Sequence, residues 1–246
     1  MVDYPRLADE IAAWIAERVR DAGCRGVVLG LSGGVDSALS AGLAQRALGA
    51  GSVLGLIMPC HSVPGDEAHA RLVIDTFGIA WERVDLGPVF DVLTAQLPTA
   101  DGLAAANLKP RLRMMTLYYY ASMKRYLVLG TSNRTELAVG YFTKYGDGGS
   151  DILPLGGLLK YEVRELARAV RVPAAIVDKP PSGGLWAGQT DEGELGITYD
   201  RLDRVIAALD CGDTSGLDPN DVARVKRMFA VSAHKREPLP CFRVSA

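Results

Sequence analysis

The stretch that most constrains this chain runs from Gly26 to Leu48, GVVLGLSGGVDSALSAGLAQRAL, where an apolar run meets a loop of small residues and then a helical pattern. Val27, Val28, Leu29 and Leu31 form a short, β-branched-rich run of the kind that is buried on both faces of a parallel sheet. Ser32, Gly33 and Gly34 follow, and beyond Asp36 and Ser37 the apolar positions Ala38, Leu39, Ala41, Leu43, Ala44 and Leu48 recur at helical spacing. Glycines let backbone N–H groups approach an anion, and a helix start adds partial positive charge, so strand, loop and helix together make a phosphate cradle.

The cradle lacks the lysine of GxxxxGK[ST] and the spacing of GxGxxG, and carries Asp36 instead. A carboxylate facing bound phosphates repels them unless a divalent cation lies between, which points to magnesium on oxygen ligands. The simpler role for Asp36 is to favour the helix N-terminus. Gly30-Leu31-Ser32-Gly33-Gly34 also fits the GxSxG nucleophile elbow, with His234 downstream in the right order. No HGGG-type segment precedes it, and the motif stands after the first recognisable strand, both of which argue against a hydrolase.

A length of 246 residues fits one large α/β domain spanning residues 1–246 and is ample for a core. The net charge of -2 gives no electrostatic footprint for nucleic acid. Cys24, Cys60, Cys211 and Cys241 are scattered, and with His61, His69 and His234 they form no zinc or iron–sulfur spacing. MVDYPRLADEIAAWIAERV has acids within its apolar periodicity and reads as an amphipathic helix, not a signal peptide. No apolar run approaches the ~20 residues of a membrane span, so the expected protein is soluble and cytoplasmic.

Along the chain, Ile11, Ala12, Ile15, Ala16 and Val19 mark a first helix closed by Gly23, Ser52 to Met58 a second strand, Pro64 to Phe77 a helix, and Trp81 to Leu86 a third strand. Such alternation predicts a parallel sheet with right-handed crossovers, and a ligand at the switch point beyond the strands' carboxyl ends. Arg111 to Tyr126, RLRMMTLYYYASMKRY, is a helix with apolar residues around its axis. Burial within the subunit and a homodimer interface both satisfy that pattern, and its Tyr and Met content favours the interface. Tyr126 to Gly130 is the fourth strand, followed by Thr131-Ser132-Asn133-Arg134-Thr135-Glu136 entering a helix. With strand order 3-2-1-4-5, strands one and four are neighbours, and Asp36 and Glu136 converge to share one magnesium. Taken alone, Glu136 is a helix-start acid capped by Asn133. Residues 196–236 form a helical tail of two amphipathic stripes, expected to serve packing.

Ser32-Gly33-Gly34-Val35-Asp36-Ser37 after a strand resembles the pyrophosphate loop of the ATP pyrophosphatases, which adenylate a substrate and release pyrophosphate. Gly130 to Lys160, GTSNRTELAVGYFTKYGDGGSDILPLGGLLK, together with the later ELGITYD, narrows this to a close resemblance to ammonia-dependent NAD synthetase, running from about residue 5 to the HKR at 234–236. The resemblance implies a homodimer of Rossmann-like, adenine nucleotide α-hydrolase-like α/β subunits, with ATP over the sheet and deamido-NAD partly across the dimer interface. It gives Ser32, Gly33, Gly34, Val35, Asp36 and Ser37 the pyrophosphate, and Asp36 and Glu136 the magnesium. Thr131, Lys160 and Ser182 correspond to ATP contacts, Ser182 standing where the family has threonine. Arg111, Lys144, Asp151, His234 and Lys235 correspond to deamido-NAD contacts, and Asp36, Lys160 and Asp151 to catalytic positions, Asp151 as a helper for incoming ammonium.

The implied reaction is the ATP- and magnesium-dependent amidation of deamido-NAD by ammonia through an adenylate, giving NAD, AMP and pyrophosphate. The glycines at 140, 146, 148, 149 and 156, and the Gly- and Pro-rich run from Pro180 to Glu194, read as mobile loops closing over the site. About 25 residues precede the first strand, too few for a glutamine amidase domain, so free ammonia is the expected nitrogen source unless a separate amidase subunit supplies it. A tRNA-thiolating enzyme of the same group finds no support, since there is no cysteine pair and no basic face. A non-catalytic nucleotide-binding module would keep the loop but have no need of Glu136 or Lys160.

Overall fold

The computed structural model describes residues 2–62, 64–99, 102–183 and 189–242. Its centre is a parallel sheet of β1 (Val27–Gly30), β2 (Val53–Ile57), β3 (Ala80–Arg83) and β4 (Leu127–Val128), in the order β3-β2-β1-β4. α1 (Tyr4–Asp21) precedes β1, and between the strands lie α2 (Val35–Leu48), α3 (Pro64–Phe77), α4 (Gly87–Gln96), α5 (Gly102–Ala106) and α6 (Leu108–Lys124). After β4 come α7 (Arg134–Val139), α8 (Lys160–Ala169), α9 (Ala174–Val177), α10 (Asp191–Leu195), α11 (Tyr199–Cys211) and α12 (Pro219–Arg236).

The expected order 3-2-1-4-5 holds for four places and stops there. Where a fifth strand would pair with β4, a single parallel bridge joins Leu129 to Ile152. The segment reaching it carries Gly148, Gly149 and Pro154 on either side of Ile152, residues that do not sustain a strand.

Alternation along the strands builds two cores. Val27 and Leu29 of β1, with Val53 and Ile57 of β2, pack under α1, α2 and α8, while Val28, Leu54 and Leu56 face α4 and α6. Successive side chains of a strand point to opposite faces, so a continuous apolar run is what a doubly covered strand needs. β3 is the exposed edge, and the Arg71 guanidinium lies 3.6 Å from the ring centroid of Trp81 there. A third cluster, with Tyr199, Leu202, Val205, Ile206 and Val225, joins α11 and α12 to α7, so the tail packs beside the carboxyl end of the sheet's β4 side.

α6 has one face inside and one outside. Leu112 and Ala121 are buried, whereas Met115, Tyr119 and Met123, spaced four residues apart, are 59%, 68% and 56% exposed. Burial within the subunit therefore accounts for only part of its apolar circumference.

Candidate active site

β1 ends at Gly30, and the chain turns through Ser32 and Gly33 to Gly34, the N-cap of α2. Ser37 Oγ donates to the Gly34 carbonyl at 3.0 Å and accepts from the Ser32 N–H at 3.3 Å, while the Gly34 N–H donates to Ser32 Oγ at 3.3 Å. The two serines thus fold the loop onto the first turn of the helix. Gly33 has φ 75°, and a Cβ there would lie 2.5 Å from the Asp66 carbonyl oxygen of α3 and 2.9 Å from His69 Cβ. Only glycine satisfies both the left-handed backbone and that contact.

Because β1 and β4 are neighbours, the first turns of α2 and α7 meet, and the start of α8 closes on both. Lys160 Nζ lies 2.6 Å from Asp36 Oδ2 and 3.1 Å from Glu136 Oε1, with the lysine 2% exposed. Asn133 Nδ2 donates to Asp36 Oδ1 at 2.8 Å. Asn133 also caps α7, accepting from the Glu136 N–H at 3.0 Å while Glu136 Oε2 accepts from the Asn133 N–H at 3.3 Å. The cap and the charged site are therefore the same two residues: one oxygen of Glu136 starts the helix and the other faces Lys160.

Burial pushes the Glu136 carboxyl up to about 7, with Lys160 opposing and the Asp36 charge adding to the rise. Burial alone would lower the Lys160 ammonium, but the charges of Asp36 and Glu136 overrule it and hold it above its ordinary value. The site carries two carboxylates against one lysine, an excess of negative charge that suits a further cation. Two hard carboxylate oxygen donors are magnesium's chemistry, and two suffice because this ion keeps waters and phosphate oxygens in its shell. Among the described residues no group of three or more His, Cys, Asp and Glu is placed to hold a metal. The pair fits an ion shared with a phosphate ligand, and does not form an all-protein cage.

The tail reaches this centre, which packing alone would not require. The Lys160 N–H donates to Thr135 Oγ1 at 3.0 Å, Thr135 donates in turn to the buried Asp203 of α11, and Asp203 Oδ2 accepts from the Tyr161 N–H at 2.9 Å. The Lys160 ammonium stands 5.1 Å from the ring centroid of Tyr199, whose hydroxyl donates to Asp191 Oδ2 at 3.0 Å. Both residues escaped the reading of the tail as packing. The available signal was an acid, Asp203, beside Leu202 within an apolar stripe, since a buried carboxylate needs donors to face it.

A cavity of about 890 Å³ opens above the carboxyl ends of the strands, and Ser32, Gly34, Val35, Asp36, Ser37, Thr131, Glu136, Lys160, Ser182 and Lys235 line it. Ser32 Oγ is engaged with Ser37 and Gly34, and no histidine is among the described residues of this cavity, so no nucleophile and base meet as the GxSxG alternative requires. Ser182 Oγ donates to the Gln189 carbonyl at 2.8 Å, and residues 184–188 of the Gly- and Pro-rich segment lie outside the described residues. Past them the segment is anchored: Asp191 is 4% exposed and accepts from Tyr141 and Tyr199.

Four expected residues do not line the cavity. Arg111 Nη2 donates to the Lys144 carbonyl at 3.4 Å, and Lys144 Nζ to the His234 carbonyl, so these three form one exposed patch at its side. Lys235 joins that patch to the cavity, donating to the carbonyls of Gly140 and Phe142 at 2.7 and 2.8 Å. Asp151 is turned away: Oδ2 accepts from the Val128 N–H at 2.7 Å and Oδ1 from the Tyr118 hydroxyl at 3.0 Å. Its carboxylate ties β4 to α6 at an exposed position outside the cavity. The glycine-rich loop packs closely at one of its glycines. A Cβ on Gly148 would lie 2.5 Å from the Phe142 ring, so its glycine serves close packing.

Residues 7–239 match the family model described as NAD synthase. The chain belongs to the NAD synthase family. It is 46% identical over 234 residues to the NH(3)-dependent NAD(+) synthetase of Syntrophomonas wolfei, covering 92% of this chain and 91% of that protein. Among solved structures it is similar to the NMN synthetase of Francisella tularensis, with a TM-score of 0.91, 34% identity and coverage of 99% and 100%. The NH3-dependent NAD synthetase of Campylobacter jejuni, solved with a nitrate ion, gives a TM-score of 0.87 at 30% identity and coverage of 98% and 100%.

Proposed function

We propose that this chain catalyses the ATP-dependent amidation of deamido-NAD by ammonia, giving NAD, AMP and pyrophosphate. The observation that carries the reading is the convergence of Asp36 and Glu136 on Lys160 beside the SGGVDS loop, at 2.6 and 3.1 Å. Such a centre suits a reaction in which charge must be moved onto a departing polyphosphate.

In this reading the nicotinate carboxylate of deamido-NAD attacks the α-phosphorus of ATP, the bond to the bridging oxygen breaks, and pyrophosphate leaves. Ammonia then adds to the acyl carbon of the adenylate, AMP departs, and the amide remains after loss of a proton. The backbone N–H groups of the loop and the hydroxyls of Ser32 and Ser37 hold the departing phosphates, and Lys160 supplies positive charge close to them. Asp36 and Glu136 would hold magnesium, which when bound neutralises phosphate charge. Thr131 and Ser182 contact ATP from the cavity wall. Lys235 meets deamido-NAD at the cavity edge, and Arg111, Lys144 and His234 meet it further out, towards a second subunit. Asp151 belongs to the same reading as a deamido-NAD contact and helper for ammonium, its exposed carboxylate held outside the cavity by the Val128 N–H and the Tyr118 hydroxyl.

The homodimer belongs to the same reading and is supported by the uncovered stripe of Met115, Tyr119 and Met123. Free ammonia as nitrogen source is supported by the name and the 91% coverage of the Syntrophomonas wolfei relative. Among the described residues no helix is long and apolar enough to cross a membrane. A cytoplasmic location completes the reading, and cell fractionation checks it.

A second reading, amidation of a mononucleotide, is favoured by the likeness to the Francisella tularensis NMN synthetase. Supplying deamido-NAD and the corresponding mononucleotide in competition, with ATP, magnesium and ammonium, separates the two. The expected product is NAD, with kcat/KM for the dinucleotide at least about tenfold higher. A preference for the mononucleotide would transfer the assignment to the second reading.

A further inference from the structure

Among the described residues five cationic side chains line the cavity, and four of them have two polar partners each. Arg83 donates to Glu67 and Asp85, Arg113 to the Met58 carbonyl and Ser62, Lys160 to Asp36 and Glu136, and Lys235 to two backbone carbonyls. The fifth, Lys179, makes one ion pair, Nζ to Asp66 Oδ1 at 2.7 Å, with the two side chains 28% and 27% exposed. Arg83 is more exposed, at 40%, but is held by two acids; a single accessible pair adds little to stability and exchanges more readily than a side chain with two partners. Asp66 stands in the first turn of α3, where the helix dipole favours its charge even without a lysine.

The pair also lies against the phosphate loop. The Asp66 carbonyl is the atom that a Cβ on Gly33 would meet at 2.5 Å, so the start of α3 and the loop touch with no side chain between them. The six loop residues supply hydroxyls, N–H groups and one carboxylate but no cation. Lys160 serves the phosphates while sharing its charge with two acids, which leaves room for a second cation. A lysine is a point charge on a flexible stem, able to turn its three donors from one oxygen set to another.

We propose that Lys179 is a further phosphate-contacting residue: its ammonium leaves Asp66 to bind the terminal phosphate oxygens of ATP and then pyrophosphate, while Asp66 tunes that affinity by competing for the same cation. The inference rests on the loop binding ATP, as proposed above, and adds a residue that the motifs do not mark. Lys179 lies three positions before Ser182, so departure of pyrophosphate would return it to Asp66 and relax the segment carrying that hydroxyl.

The test is calorimetric titration of pyrophosphate with magnesium into the full chain, beside KM for ATP. Lys179→Gln is expected to weaken pyrophosphate about tenfold and raise KM for ATP, as loss of one charge-assisted contact does. Asp66→Asn is expected to move both in the opposite direction, tightening pyrophosphate a few-fold by freeing the lysine. Should Lys179→Gln fail to fold, Lys179→Arg, which keeps the cation, must retain pyrophosphate binding within a few-fold. An ion pair that only fastened the segment would make both variants weaken binding or leave it unchanged, and either result overturns the proposal. Titration with pyrophosphate needs no deamido-NAD, so a lack of deamido-NAD-dependent turnover would count against the proposed reaction and leave Lys179 to be decided by these opposite signs.

Discussion

Asp36 carries the largest share of the account for a single side chain. Asp36→Asn keeps the shape and the Asn133 contact but halves the negative charge facing Lys160, so turnover should fall on the order of 10²–10³-fold. The melting midpoint should change little, because Glu136 still neutralises the buried ammonium; near-normal turnover would remove Asp36 from any metal role. Gly33→Ala is expected to do the reverse and damage the fold locally. Forcing a methyl against the Asp66 carbonyl at φ 75° costs on the order of 1–3 kcal/mol and should lower both denaturation midpoint and ATP affinity. Glu136 gives a pH dependence. Its folded value of about 7 against 4.5 when unperturbed means that the native state binds the extra proton between those values. Its stabilising share is thus full below pH 4.5 and is lost as pH rises through 7. A bound cation must displace that proton, so magnesium affinity should rise from pH 6 to pH 8, and Glu136→Gln should flatten both trends; an unchanged magnesium titration across that range would exclude Glu136 as a ligand. At this scale the sequence was readable where a motif names its chemistry, as in SGGVDS, and where Asn133 and Glu136 have capping spacing. Asp203 was hidden because its partners, Thr135 and the Tyr161 N–H, are brought to it by tertiary packing over a separation of 68 and 42 residues.

Among the elements, α6 makes the clearest demand on a partner. Met115, Tyr119 and Met123 leave an apolar face in water, and Tyr and Met are the residues that interfaces collect. Light scattering at micromolar concentration should give a dimer, and Tyr119→Asp with Met123→Asp should give a folded monomer with unchanged circular dichroism. A wild-type monomer would leave that face unexplained and remove the dimer from the reading. The doubly covered strands β1 and β2 were legible because continuous apolar runs have no other soluble solution than burial on both sides. β3 ends at Arg83, short of the expected Leu86, although the Val84 and Leu86 N–H groups still donate to the Ile57 and Pro59 carbonyls at 2.9 and 2.8 Å, so the expected strand survives there as hydrogen bonding alone. The fifth strand fails where Gly148, Gly149 and Pro154 flank Ile152, and the packing of the glycine-rich loop was hidden for a different reason. Composition shows glycine but not whether a neighbour such as Phe142 lies where its Cβ would be.

For the molecule as a whole, strand order converts distant motifs into one centre. Asp36 stands 100 residues before Glu136 and 124 before Lys160, and the three meet only because β1 and β4 are adjacent and α8 packs over both. The family's motifs made that meeting legible before the fold was in view, whereas the side patch of Arg111, Lys144 and His234 depends on how loops fold back on α12. The central claim is that this centre couples ATP cleavage to amidation. Its most direct test is release of pyrophosphate from ATP with magnesium and ammonium, followed with deamido-NAD present and withheld. The account predicts release that requires deamido-NAD and yields NAD in equal amount; release indifferent to deamido-NAD, or none under either condition, would contradict it.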